Sequence, residues 1–325
     1  MQRKNWNSVD LVLALILWVG VASGCALKPT RGTETLPRAF SGSQALLGPL
    51  QLNEATVILD TRSSFDFSMA RIPRSQNVNW VDYSEPEPAQ RGWLQRDLFA
   101  AARRLARMGV GPETPVVVLG LGREGQGEEG RVAWMLAYLG VKDVRFGRFD
   151  SVKARLTTSP PAGFGDVPGG TPLEAEGDAE FRKSLRPTEP SPQEVPIWKP
   201  EVVEDLLVTD QEFREAMKKG DAAGFRFIDV RAARDYLGQT GGLRSKAIPN
   251  LGALNLPWKD LFDDNFRPAR ELRPQLAALG VRDDDRLIVL DHDGVAACAI
   301  VMALRAMGFS RAGCFAGGYN HLLAK

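Results

Sequence analysis

Apolar and polar positions fall into blocks along the chain, and the blocks come in a repeating order. A β-rich run ends at Asp60, a helical turn follows, and Ile72-Pro73 breaks into an extended piece. Across residues 95–108, Leu98, Phe99, Ala102, Leu105 and Met108 recur at three- and four-residue steps. That period predicts a helix with this face in the core and Gly109 as its C-cap. Residues 116–119 read as a strand, a glycine-rich loop (GLGREGQGEEG) follows, a helix is expected over 131–139, and 144–146 reads as another short strand. Strands alternating with helices predict a parallel sheet covered on both faces.

The second half repeats this layout. A strand leads into Asp229-Val230-Arg231, as an earlier one leads into Asp60-Thr61-Arg62. Ile248-Pro249 and Asn255-Leu256-Pro257-Trp258 then echo Ile72-Pro73 and Asn77-Val78-Asn79-Trp80. Each half continues with a helix ending in Gly-Val (109–110 and 280–281), a strand, a loop and a further helix. In the second half these are an apolar strand at 287–290, the loop LDHDGVAAC over 290–298, a helix over 295–309 and a strand over 312–316. The shared order indicates a tandem duplication. Residues 157–200, rich in Pro, Gly and Glu, lack the apolar surface for a core and read as a connector, with Ile197-Trp198 pinning its end to a domain. The expected domains are therefore 44–156 and 201–325.

The N-terminus has a different grammar. Arg3 and Lys4 precede an apolar run at 11–21, then Ala22-Ser23-Gly24-Cys25. This is the layout of a secretory signal, and the run is shorter than the ~20 residues of a membrane span. Ala-Ser-Gly-Cys resembles the lipobox of bacterial lipoproteins, with Ala22 where Leu is usual. The resemblance implies a signal peptide over 1–25, acylation of Cys25, and a polar tether over 26–43. Ala26 after the cysteine implies sorting to the outer membrane, facing the periplasm.

The chain has 325 residues, with 44% hydrophobic and 25% charged, an ordinary globular balance. A net charge of +1 gives no reason to expect a nucleic-acid partner. Three cysteines and two histidines are too few for a zinc cluster of the usual spacing or a disulfide framework, and no cofactor is expected. Gly120-Leu121-Gly122-Arg123-Glu124-Gly125 fits G-x-G-x-x-G. The glycines run on to Gly130, so the expected helix starts too late to receive a pyrophosphate, and the stretch reads as a flexible surface loop.

The candidate chemistry lies at 290–298. Strand, tight loop and helix aim backbone N–H groups and the helix dipole at one point, which suits an anion or a nucleophile. Together, the D-x-R after a strand, the I-P and N-x-P-W stretches and Gly294-Val295-Ala296-Ala297-Cys298 resemble the two-domain rhodaneses, the thiosulfate and mercaptopyruvate sulfurtransferases. That resemblance implies two α/β domains, each a central parallel sheet flanked by helices, joined by a long linker. It places Asp291 at the position of the family's nucleophilic cysteine, and His292, Asp293, Gly294, Val295 and Ala296 in the remainder of the active loop. It also makes Asp229 and Arg231 a structural ion pair, Gly120 the first-domain counterpart of the nucleophile, and Gly317-Gly318-Tyr319 the counterpart of Gly-Ser-Trp.

A carboxylate cannot hold a transferable sulfur, and Asp291 with Asp293 puts two formal negative charges where an anionic substrate would sit. The expectation is a catalytically silent envelope lipoprotein that binds a protein partner or small ligand. The alternative is a sulfurtransferase with a relocated nucleophile such as Cys298. Cys298 and Cys314 read as small buried hydrophobes, with pairing the lesser reading. Asp291 and Asp293 read as helix caps, with metal or acid–base work as the alternative. His321 is expected at the surface or in contact with a helix cap.

Overall fold

The computed structural model describes residues 50, 52–153, 195–239 and 251–324. The expected signal with Cys25, the expected tether, most of the expected connector and Ile248-Pro249 lie outside the described residues. Two four-stranded sheets, parallel throughout, carry the fold. The first has β1 (Val57–Asp60), β2 (Gln76–Asn77), β3 (Val116–Gly120) and β4 (Val144–Arg148) in the order β2-β1-β3-β4. The second repeats that order with β5 (Phe225–Asp229), β6 (Leu254–Asn255), β7 (Arg286–Leu290) and β8 (Ala312–Cys314), as β6-β5-β7-β8. The central strands β3 and β7 are buried along their whole length, and apart from Arg286 at the start of β7 they are continuous apolar runs rather than alternating ones.

The helices that flank the sheets are α1 (Ser64–Met69), α2 (Leu98–Arg107), α3 (Glu128–Tyr138), α4 (Asp150–Lys153), α5 (Asp210–Lys219), α6 (Ala233–Tyr236), α7 (Leu272–Ala278), α8 (Val295–Ala306) and α9 (Gly318–Leu323). The helix expected from residue 95 starts at Leu98, because the Asp97 carboxylate caps it by accepting the Ala100 N–H at 2.8 Å. Its core face is Ala101, Ala102, Leu105 and Ala106, whereas Phe99 is 46% exposed with Arg103 over its ring. The helix expected from 131 starts three residues sooner, at Glu128, where Gly127 turns the chain in the left-handed region. The helix expected to reach 309 stops at Ala306, and Gly308, at φ 98°, carries the chain out of it.

One apolar cluster runs through both domains, from Leu59 and Val118 to Val289 and Ala316. Its seam is the packing of α3 on α8. A Cβ placed on Gly130 would lie 2.2 Å from the Ala299 Cβ, so the helices meet almost backbone to backbone. The end of the connector is held as expected at Trp198, which is buried and donates its indole N–H to the Val110 carbonyl at 2.9 Å. Ile197 is 60% exposed and takes no part in this anchor.

Candidate functional site

The duplicated Asp-x-Arg motif builds the same local network twice. Arg62 donates two side-chain N–H groups to Asp60, and Arg231 does the same to Asp229, the shortest contacts being 2.7 and 2.6 Å. Asn77 and Asn255 each donate their amide to the carbonyls of both residues of the local pair. The side chain therefore ties the strand end to the turn that follows it. In the second domain the Tyr319 hydroxyl adds a 3.0 Å hydrogen bond to Asp229, and the Arg231 guanidinium lies 3.8 Å from the Tyr319 ring centre. Burial raises the Tyr319 phenol, so it stays a donor.

Above this pair lies the loop between β7 and α8. Gly294 turns it at φ 80°, and a Cβ there would come within 2.2 Å of the Ala316 carbonyl oxygen. The Asp291 side chain folds back into the loop. It accepts N–H groups from Gly294, from Ala296 at 2.8 Å and from Ala297 at 3.2 Å. Asp293 approaches the Val295 N–H at 3.4 Å. The Asp291 carbonyl accepts the Tyr319 N–H at 2.9 Å and the His292 carbonyl the Asn320 N–H at 2.9 Å, so the 317–320 turn braces the loop from behind. His292 is half-exposed, its Nε2 3.8 Å from the Asp235 carboxylate on α6.

Asp291 is 5% exposed. Burial, then the charge of Asp293, push its carboxyl up to about 7, against the pull of the three N–H groups. Burial and the neighbouring carboxylate thus both favour the protonated form of Asp291 more than a solvated loop would.

Cys298 and Cys314 are both free and fully buried, with their sulfurs 3.0 Å apart. The first domain seals Cys298: Arg131 on α3 reaches its Sγ at 3.2 Å and donates to the Gly92 carbonyl at 2.6 Å. Trp93 of the first domain sets its ring edge-on to Phe315 and His321, each at 5.4 Å. His321 is part-buried rather than a surface residue, and its Nε2 pairs at 2.9 Å with Asp210, the first residue of α5, so of the two expectations the contact at a helix end is the one that holds. Among the described residues, no group of three or more His, Cys, Asp or Glu is arranged to hold a metal.

Sequence reasoning placed Gly120 as the counterpart of Asp291, in keeping with the register in which Asp60 pairs with Leu119 as Asp229 pairs with Leu290, but it missed the burial of the loop that follows. The glycine-rich loop is not a plain surface loop, since Gly120, Gly122, Gly127 and Gly130 are all buried. Glu129, fully buried, accepts the Gly122 N–H at 2.6 Å through Oε1, while Oε2 has no hydrogen-bond partner among the described residues. Burial pushes this carboxyl up to about 8. A run of glycines beside Glu-Glu reads as solvated, and only the packing of α3 against α8 reveals otherwise.

Two α/β units of matching topology, each presenting a strand–loop–helix turn, define a tandem α/β fold. The chain belongs to the Rhodanese-like domain family, which matches residues 44–147 and 209–325. Among solved structures it is similar to SseA from Escherichia coli, described with the 3-mercaptopyruvate sulfotransferases. The identity is 20% and the TM-score 0.59, covering 82% of this chain and 93% of that one. It is also similar to the Tum1 protein from Saccharomyces cerevisiae, at 18% identity and a TM-score of 0.61, covering 86% and 92%. A third is the anaerobic ergothioneine biosynthesis enzyme from Chlorobium limicola, at 17% and 0.61, covering 86% of this chain and 64% of that one. A comparison with curated proteins found no match.

Proposed function

We propose that this protein is a tandem rhodanese-like lipoprotein of the bacterial envelope. It is anchored through acylated Cys25 in the outer membrane, faces the periplasm, and is catalytically silent as a sulfurtransferase. It binds an envelope protein or a small ligand instead. The observation that carries the reading is Asp291. By the motif match it stands at the family's nucleophile position, and its carboxylate accepts the N–H groups of Gly294, Ala296 and Ala297. Oxygen there cannot carry a sulfane sulfur, and the donors that would greet an anion are already engaged. The relocated-nucleophile reading would need an accessible Cys298, and that side chain is fully buried beneath the first domain.

The deciding experiment assays thiocyanate formation from thiosulfate and cyanide with the full chain beside Asp291→Cys. The wild type stays at the uncatalysed rate and the variant gains turnover. Wild-type turnover at the rates of a working sulfurtransferase would remove the proposal. Radiolabelled palmitate entering the wild type but not Cys25→Ser tests the anchor separately.

A further inference from the structure

Cys298 sits in the first turns of α8 and Cys314 at the end of β8, 16 residues apart in the chain. Their sulfurs are 3.0 Å apart, roughly 1 Å outside covalent bonding distance. Neither element leaves the pair much freedom. Cys314 is held in register by the Phe315 N–H bonded to the Val289 carbonyl and by its own carbonyl accepting the Val208 N–H. Cys298 is wedged between Gly294, whose carbonyl accepts its N–H, and the Arg131 guanidinium. The Cys314 thiol also approaches the Gly294 carbonyl oxygen at 3.8 Å.

We propose that Cys298 and Cys314 form a disulfide, closed when the chain folds in an oxidising compartment, which staples α8 to β8 beneath the Asp291 loop. The N-terminal export signal read from the sequence would deliver the chain to such a compartment. The co-reactant is a small or protein disulfide of the thiol-oxidase or glutathione class. One cysteine thiolate attacks that disulfide and forms a mixed disulfide, expelling one thiol. The second cysteine then attacks the mixed disulfide, forms the Cys298–Cys314 bond and expels the other thiol. Two protons and two electrons leave the pair, and the donor disulfide is reduced. Because α3 covers Cys298 through Arg131, exchange takes place before the first domain docks. The finished bond is then shielded from reductant by the same cover. The bond is independent of whether the loop transfers sulfur.

The test uses the full chain, unfolded with reductant, refolded with oxidised glutathione, then alkylated in denaturant and digested with trypsin without reduction. Cleavage after Arg286, Arg305 and Arg311 puts the two cysteines on separate peptides, 287–305 and 312–325. The expected product is these two peptides joined, two hydrogens lighter than their sum, with a melting temperature roughly 5–10 °C above that of the reduced protein. Recovery of both peptides as alkylated thiols, or joined instead to the peptide bearing Cys25, overturns the inference. Loss of sulfurtransferase activity, or its presence, leaves this readout unchanged, so the two proposals fail separately.

Discussion

Gly130 on α3 and Ala299 on α8 meet with no side chain between them; a Cβ on the glycine would lie 2.2 Å from the alanine Cβ and 2.5 Å from its Cα. Both atoms belong to a buried, regular helix, so neither can swing aside. Gly130→Ala would gain helix propensity, yet the contact requires the domains to move apart. We expect a net loss of about 1–3 kcal/mol, and more for Gly130→Val. Urea unfolding of the variants checks it; an Ala variant as stable as the wild type would show that the seam yields.

The two buried carboxyls make a pH prediction. Asp291 rises from 3.8 to about 7 and Glu129 from 4.5 to about 8, both chiefly by burial. A carboxyl with a raised folded value binds its proton more tightly in the native state. Its contribution is full below the unfolded value and is lost as pH rises through the folded one. The stability of Asp291→Asn relative to the wild type should therefore climb between about pH 4 and 7, and that of Glu129→Gln should go on climbing to about pH 8. Melting temperatures measured across pH 4–9 decide this; parallel curves would contradict it.

Asp229, Arg231 and Tyr319 form one buried unit. Arg231→Met strands the Asp229 carboxylate and should cost about 3–5 kcal/mol. Tyr319→Phe removes only the hydroxyl donor and should cost about 1.5–3 kcal/mol. The double variant should cost less than the sum, because the groups share one acceptor. Additive losses in chemical denaturation would mean that the three act separately.

Trp198 can be dissected in the same manner. Trp198→Phe keeps a ring but loses the bond to Val110, at about 1 kcal/mol, whereas Trp198→Ala also empties a buried pocket, at about 3–5 kcal/mol. Equal losses in the two variants would assign the anchor to the hydrogen bond alone.

Much of this was legible in the sequence because it is written locally. Asp60-x-Arg62 and Asp229-x-Arg231 fold onto themselves, so two residues apart in sequence suffice to announce the strand end. The Asp291 loop announces itself in the same manner, through a strand, a left-handed glycine and an apolar helix. What stayed hidden depends on the meeting of the halves. Arg131 looks like a solvent-facing helix residue, but it is 1% exposed, bonded to Cys298 and stacked over Trp134. Phe99 looks like core and faces water, since a period alone cannot say how wide the covered stripe will be. The contact of Cys298 with Cys314 needed α8 and β8 side by side before it could be seen.

The stretch after Trp198 touches each half in turn. The Val203 N–H bonds to the Tyr138 carbonyl, the Leu206 carbonyl accepts the Trp134 indole, and Leu207 bridges to Cys314. A stretch laced in this way leaves neither lobe free to melt alone. Calorimetry would then record a single heat-absorption peak whose van't Hoff and calorimetric enthalpies agree, although the chain carries the same sheet topology twice.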